Sequence, residues 1–181
     1  MKEHIKEKLA ILEGVEVKLD NGLFEITSSK GTVKRRFTGK NVELRLENKT
    51  IILESKNATK REKKLIKTFK AHLKNMIKGV LEGFTYKLKI CASHFPMNVS
   101  VSGEELIVKN FLGEKIPRTL KIKTETKIKI DGQEVIVEGN NKELVGQQAA
   151  SIEQLCRITN RDRRIFQDGI FIIEKAGKKI K

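Results

Sequence analysis

The chain has no tryptophan, one tyrosine, two prolines and two cysteines among its 181 residues. With so few aromatics its cores have to be aliphatic, built mainly on Ile, Leu and Val. Cys91 and Cys156 stand far apart, and His4, His72 and His94 are the only histidines. No CxxC, HxxxH or other metal-ligand spacing occurs, which excludes a metal centre and a disulfide framework as readings. Cys91 ends an apolar run and Cys156 falls on an apolar helix face, so both read as buried structural thiols. There is no P-loop and no GxSxG. Asp131 and Asp168 fall in turns without a motif that gathers glutamates around them, so neither a two-carboxylate site nor a placed proton donor emerges. No catalytic residue and no cofactor is expected. Long apolar runs are also missing, so no span of a bilayer is expected. The opening residues Met1–Glu7 alternate in charge and lack the apolar segment of a signal peptide. An intracellular, reducing location is the expectation.

What the chain has in abundance is positive charge. Its formal net charge is +15 and its pI about 9.8. Such an excess opposes compaction through self-repulsion, so it points to an anionic partner, nucleic acid foremost. An acidic membrane surface or plain solubility are the alternatives.

Laid on itself with a shift of about 84 residues, the chain repeats. Val15-Glu-Val17 falls on Val99-Ser-Val101, and Glu43-Leu-Arg-Leu46 on Lys127-Ile-Lys-Ile130. Asn48 meets Gly132, Ile51 meets Val135, Leu53 meets Val137 and Asn57 meets Asn141. A slip of about two places Phe24 and Ile26 on Leu106 and Val108. The fold class expected is α+β: two tandem, similar domains, each an antiparallel-rich β-sheet with one helix packed on it. The domains are expected at 1–82 and 83–174, followed by a loose basic tail at 175–181.

Alternation of apolar with polar residues predicts the strands. They are 15–19, 23–27, 32–37, 42–46 and 50–54 in the first copy. In the second they are 86–91, 98–101, 105–109, 118–122, 126–130 and 134–138, and the last strand is 170–173. Asn21-Gly22, Glu47-Asn48-Lys49 and Asp131-Gly132 read as hairpin turns. The first helix starts at Thr59, which makes a capping box with Glu62. Its apolar face runs Leu65, Ile66, Phe69, Leu73, Met76, Ile77 and Val80. Lys60, Arg61, Lys63, Lys64, Lys67, Lys70, Lys74 and Lys78 form the other face, which reads as solvated, as do Lys34, Arg35, Arg36 and Lys40. The second helix starts at Asn140 or Asn141. It turns Val145, Ala149, Ile152, Leu155 and Cys156 to its sheet and Gln147, Gln148, Ser151, Glu153 and Gln154 outward. Gly146, Ala149 and Ala150 thin it, either for helix–sheet packing or for close approach of another surface.

Between that helix and the last strand, Arg157, Arg161, Arg163 and Arg164 fall within eight residues. Guanidiniums so displayed can each grip a phosphate with two parallel hydrogen bonds. The plainer reading is a solvated loop with Asp162 and Asp168 as partial partners. Lys109, Lys115 and Arg118 border a loop stiffened by Pro117, either a groove probe or an ordinary hairpin loop. His94 and Phe95 read either as a stacking surface for a base or as a buried pair at the domain joint.

The same stretch carries a family resemblance. Gln154, Ile158, Arg161, Arg164, Phe166, Asp168, Gly169, Ile170, Phe171, Ile172 and Lys175 follow a pattern found in the universal sixth protein family of the large ribosomal subunit, archaeal and eukaryotic form. Phe171 departs from it, where the family usually has Tyr. Gly31-Thr-Val-Lys-Arg-Arg-Phe37, Asn75-Met-Ile-Lys-Gly-Val80, Gly83-Phe-Thr-Tyr-Lys87, His94-Phe-Pro-Met-Asn-Val99 and Glu143-Leu-Val-Gly-Gln-Gln-Ala-Ala150 also resemble its blocks, in order. The resemblance implies a non-enzymatic structural protein in the cytoplasmic ribosome. It implies binding of large-subunit ribosomal RNA near the sarcin-ricin region, beside neighbouring large-subunit proteins and the docking site of translation factors. The second domain would make most RNA contacts, through Arg157, Arg161, Arg163, Arg164, Lys109, Lys115, Arg118 and Gln147, with Lys175, Lys178 and Lys179 from the tail. An enzyme on nucleic acid and a free-standing nucleic-acid regulator are the competing classes; occupancy of large subunits separates the regulator.

Overall fold

The computed structural model describes residues 3–47 and 49–180, and Asn48, expected in a hairpin turn, lies outside the described residues. Two compact units divide the chain, one ending at Gly83 and the other starting at Phe84. The first holds β1 (Glu3–Ala10), β2 (Glu16–Asp20), β3 (Leu23–Ser28), β4 (Gly31–Arg36), β5 (Glu43–Glu47), β6 (Thr50–Ala58) and α1 (Lys60–Leu81). The second holds β7 (Phe84–Cys91), β8 (Asn98–Ser102), β9 (Glu105–Lys109), β10 (Arg118–Lys121), β11 (Thr126–Asp131), β12 (Glu134–Gly139), α2 (Lys142–Leu155), β13 (Gly169–Lys175) and β14 (Lys178–Lys179).

Each unit splits its strands between two antiparallel sheets. The first has the orders β1-β6-β5 and β2-β3-β4; the second has β11-β12-β7-β13-β14 and β10-β9-β8. The trio β1-β6-β5 therefore recurs as β7-β12-β11, and β2-β3-β4 recurs as β8-β9-β10. The aligned residues occupy equivalent places: Ile51, Leu53, Val135 and Val137 are all fully buried, as are Phe24, Ile26 and Leu106. The second unit then adds β13 and β14.

The helices follow from local chemistry. Thr59 accepts a hydrogen bond from the Arg61 N–H, and Glu62 reaches back to the Thr59 N–H at 2.9 Å, completing the capping box. The inward face of α1 buries Ile66, Leu73 and Val80 completely in the core that both sheets share. Asn141 caps α2 through the Glu143 N–H, and Val145, Ala149 and Ile152 are fully buried beneath it. Asn21 and Gly22 both adopt left-handed backbone at the β2–β3 turn. A side chain at Gly22 would strike the Phe37 carbonyl, which comes within 2.8 Å.

Three expectations change here. Residues 3–10 form β1, paired with β6, although the sequence predicted no strand there. Glu7 occupies the half-buried row of Ile5 and Leu9 and breaks the apolar alternation. Lys70, expected on the solvated face of α1, meets it there at 2.6 Å and holds the Glu7 carboxyl below the usual carboxylate range. The tail is not loose through Ile180: Lys178 and Lys179 pair with Lys175 and Glu174, and the Ile180 N–H donates to the Ile173 carbonyl. Gln148, expected on the outer face of α2, is 1% exposed, and its amide donates to the Lys121 carbonyl.

Candidate nucleic-acid interface

Three loops of the second unit, 92–97, 110–117 and 156–168, are tied to one another in a closed ring. The Asn110 side-chain amide donates to the Pro96 carbonyl at 3.0 Å, and the Phe95 ring lies against Gly113, linking the first loop to the second. Arg118, at the foot of the second loop, joins it to the third. Its guanidinium forks onto Glu114 at 2.6 and 2.8 Å, donates to the Leu155 carbonyl at 2.7 Å and to the Arg157 carbonyl at 3.4 Å, and lies 4.3 Å from the centre of the Phe111 ring. A cation on the last carbonyls of α2 also suits the helix dipole. Arg118, expected to contact RNA, also holds these loops together. The Arg118 hydrogen bonds, aided by the field of Arg161, keep the Glu114 carboxyl below its usual range.

Asp168 links the third loop back to the first. It is 3% exposed and accepts from the Ser93 N–H, the Ser93 hydroxyl at 2.8 Å and the His94 N–H at 3.3 Å. His94 Nδ1 lies 3.0 Å from its second oxygen. Burial pushes this carboxyl up, but the Ser93 and His94 hydrogen bonds outweigh it and leave the pKa lowered. Asp168 is thus no partner of the arginines, against the plainer reading of the loop. His94 stacks on Phe166, centroids 4.8 Å apart, and Arg161 covers Phe166 at 5.0 Å. The expected buried pair of His94 and Phe95 does not form: Phe95 is 47% exposed.

Asp162 shapes the arginine loop. Its carboxylate accepts from the backbone and guanidinium of Arg164, and its carbonyl accepts from Ile165 and Phe166. The four arginines accordingly differ. Arg164 pairs with Asp162 and Arg161 lies on Phe166. Arg157 and Arg163 have exposed side chains with no carboxylate partner among the described residues, and both border an open cleft of about 1130 Å³. Cys156 lines that cleft from below, where burial pushes its thiol up to about 11. Cys91 lines it too and is half-buried, less enclosed than expected.

The ring gathers the four arginines, Lys115 and, where β9 ends, Lys109 at one end of the unit. Other expected contacts lie elsewhere. Gln147 is about two turns up α2 from Leu155 and accepts from the Lys123 ammonium. Lys175 is six residues along β13 from Gly169, about 20 Å away, with Lys178 and Lys179 beside it. Gly146 has the Tyr86 hydroxyl 3.2 Å from where its Cβ would stand, so the small residue serves helix–sheet packing. Sequence reasoning missed the Asp168–His94 link, because its partners are 74 residues apart and neither carries a local pattern. Among the described residues no cluster of side chains suits a metal ion, and no helix is long and apolar enough to cross a membrane.

The family model for ribosomal protein L6 matches the chain twice, over residues 11–83 and 95–169. The large ribosomal subunit protein uL6 of Methanococcus vannielii is 45% identical over 174 residues, covering 96% of each chain. That of Methanosarcina mazei is 46% identical over 176 residues, covering 97% of this chain and all of the relative.

Proposed function

The chain belongs to the ribosomal protein L6 family, and on that premise we propose that its loop ring grips large-subunit ribosomal RNA near the sarcin-ricin region, beside the docking site of translation factors. The chain is a structural constituent of the large ribosomal subunit and not an enzyme. Its place is the ribosome, in the cytoplasm, in contact with ribosomal RNA and neighbouring large-subunit proteins.

The observation that carries the RNA reading is the pair of unpartnered guanidiniums, Arg157 and Arg163, on a loop held rigid at both ends by Arg118 and Asp168. A rigid cation loses little entropy on binding and aims its hydrogen bonds at phosphate. Lys109 and Lys115 extend the basic surface from the adjoining loop. Arg161 and Arg164 add charge while engaged with Phe166 and Asp162. Lys175, Lys178 and Lys179 form a separate basic strip, and Gln147 a single polar contact, each for a different RNA segment. The grip reads backbone and shape rather than base sequence, because A-form RNA hides its major-groove edges.

Sedimentation of a lysate through a high-salt sucrose gradient tests the assembly. Stoichiometric comigration with large subunits is expected, and a position at the top of the gradient would overturn it. Footprinting of ribosomal RNA in subunits with and without the chain tests the location. Protection confined to the sarcin-ricin neighbourhood is expected, and protection only elsewhere would overturn it.

A further inference from the structure

We infer that the cleft beneath the arginine loop is a pocket for a single unpaired nucleotide, an inference that rests on the RNA reading above and goes beyond it. The chain has eight Phe and one Tyr, and most are buried. Phe171 is 41% exposed, and it lines this cleft together with the unpartnered Arg157 and Arg163. Its ring lies across Gly169: a Cβ there would come within 3.0 Å of Phe171 Cζ. Glycine thus leaves room for the ring, which keeps aromatic surface exposed at the cleft. Phe166 lines the cleft as well, stacked on His94.

Four features suit one extruded nucleotide. An exposed aromatic surface offers stacking that any base can use. Two free guanidiniums at the cleft border meet the flanking phosphates. The side-chain amides of Gln154 and Gln167, also on the lining, present donors and acceptors for a base edge; the Gln167 amide nitrogen reaches the Arg164 carbonyl at 3.3 Å. The bordering carboxylates do not oppose an anion freely: Glu153 accepts from the Ile172 N–H, and Asp168 is held by Ser93 and His94. A paired base inside an A-form helix cannot enter such a cleft, whereas an unstacked one can.

The test uses the full chain and two hairpin RNAs of equal length, one with a single bulged 2-aminopurine and one with that base paired. Stacking on an aromatic side chain contributes about 1–3 kcal/mol per base, roughly a 5- to 150-fold preference. The expected result is at least about fivefold tighter binding of the bulged RNA, with 2-aminopurine fluorescence quenched on binding. Phe171→Ala should equalise the two affinities, and Phe171→Tyr should restore the preference. Should Phe171→Ala fail to fold, Phe171→Leu still covers Gly169 without a π-face and should lose the preference with unchanged circular dichroism. Equal affinity of the wild type for both RNAs, or a preference surviving in Phe171→Leu, would overturn the pocket and leave the loop ring as the RNA grip. Failure to bind either RNA at low salt would overturn both readings.

Discussion

The two units share six strands in the same sheet orders and one helix, yet they handle charge differently. In the first, Lys70 pairs with Glu7, Lys34 with Glu25 and Lys78 with Glu82, and the remaining lysines of α1 lie along a solvated face. In the second, Arg157 and Arg163, which have no carboxylate partner among the described residues, stand on a loop that the repeat does not contain, between α2 and the added strand β13. The duplicated scaffold supplies a core in both places. Only the addition carries the loop that holds Arg157 and Arg163.

The comparison breaks most visibly at Arg157 and Arg163. Changing both to Ala should lower RNA affinity by at least about 100-fold at moderate salt, since each charge-assisted hydrogen bond contributes about 1.5–3 kcal/mol. The slope of log affinity against log salt should fall by about 2. Thermal stability should not change, because neither side chain has a partner to lose. Filter binding across a salt series reads both quantities. Wild-type affinity in the double variant would remove the distinction between the units.

Asp168→Asn sharpens the same contrast from the side of stability. It removes a charged acceptor buried under three donors and should destabilise the second unit by on the order of 2 kcal/mol. Because the carboxyl is depressed in the folded state, its contribution is complete above the unfolded value and disappears as pH falls through the folded one. Denaturant titrations should therefore separate wild type from variant at pH 7 and bring them together well below about pH 4. RNA affinity should fall too, as the arginine loop loses its tie to Ser93 and His94. A constant stability gap down to pH 2 would show that Asp168 does not act through its charge.

How much of this was legible in the sequence depended on the range of the interaction. The Asn21-Gly22 turn and the Thr59–Glu62 cap are set by residues within three positions of each other, and both form as the sequence predicts. The repeat was legible because buried apolar residues recur in register, Ile51 with Val135 and Leu53 with Val137. Strand β1 was not, because Glu7 interrupts its inner row and is compensated by Lys70, 63 residues away. Pairing of Lys178 and Lys179 carries no apolar pattern at all. The arginines were visible as a cluster, but not their division. Only tertiary geometry shows that Arg118 is engaged with Glu114 and Leu155 while Arg157 and Arg163 stay open.

A smaller effect belongs to the first unit alone. Thr59→Ala removes the cap of α1 and should cost about 1 kcal/mol in denaturant unfolding. Affinity for RNA should stay within error of wild type. That outcome places stability without binding in the first unit, the converse of the arginine pair. A parallel loss of affinity would instead make α1 part of the grip.

The smallest effect is expected where the charge is most conspicuous. Lys64, Lys67 and Lys74 are exposed on α1. Replacing all three by Gln removes more positive charge than the arginine pair does, and should still change RNA affinity less than about threefold at 150 mM salt, where charges more than about 8 Å from the RNA are largely screened. Long, solvated lysine side chains also lose rotamer freedom on forming a fixed contact, which offsets most of the attraction. The two sets of variants together compare position with quantity of charge. A triple-lysine loss as large as the arginine loss would mean that net charge alone drives association and that the ring of loops has no special standing. A near-silent lysine variant beside a crippled arginine variant would mean that RNA is held where the backbone fixes the cation, in the part of the chain that duplication did not supply.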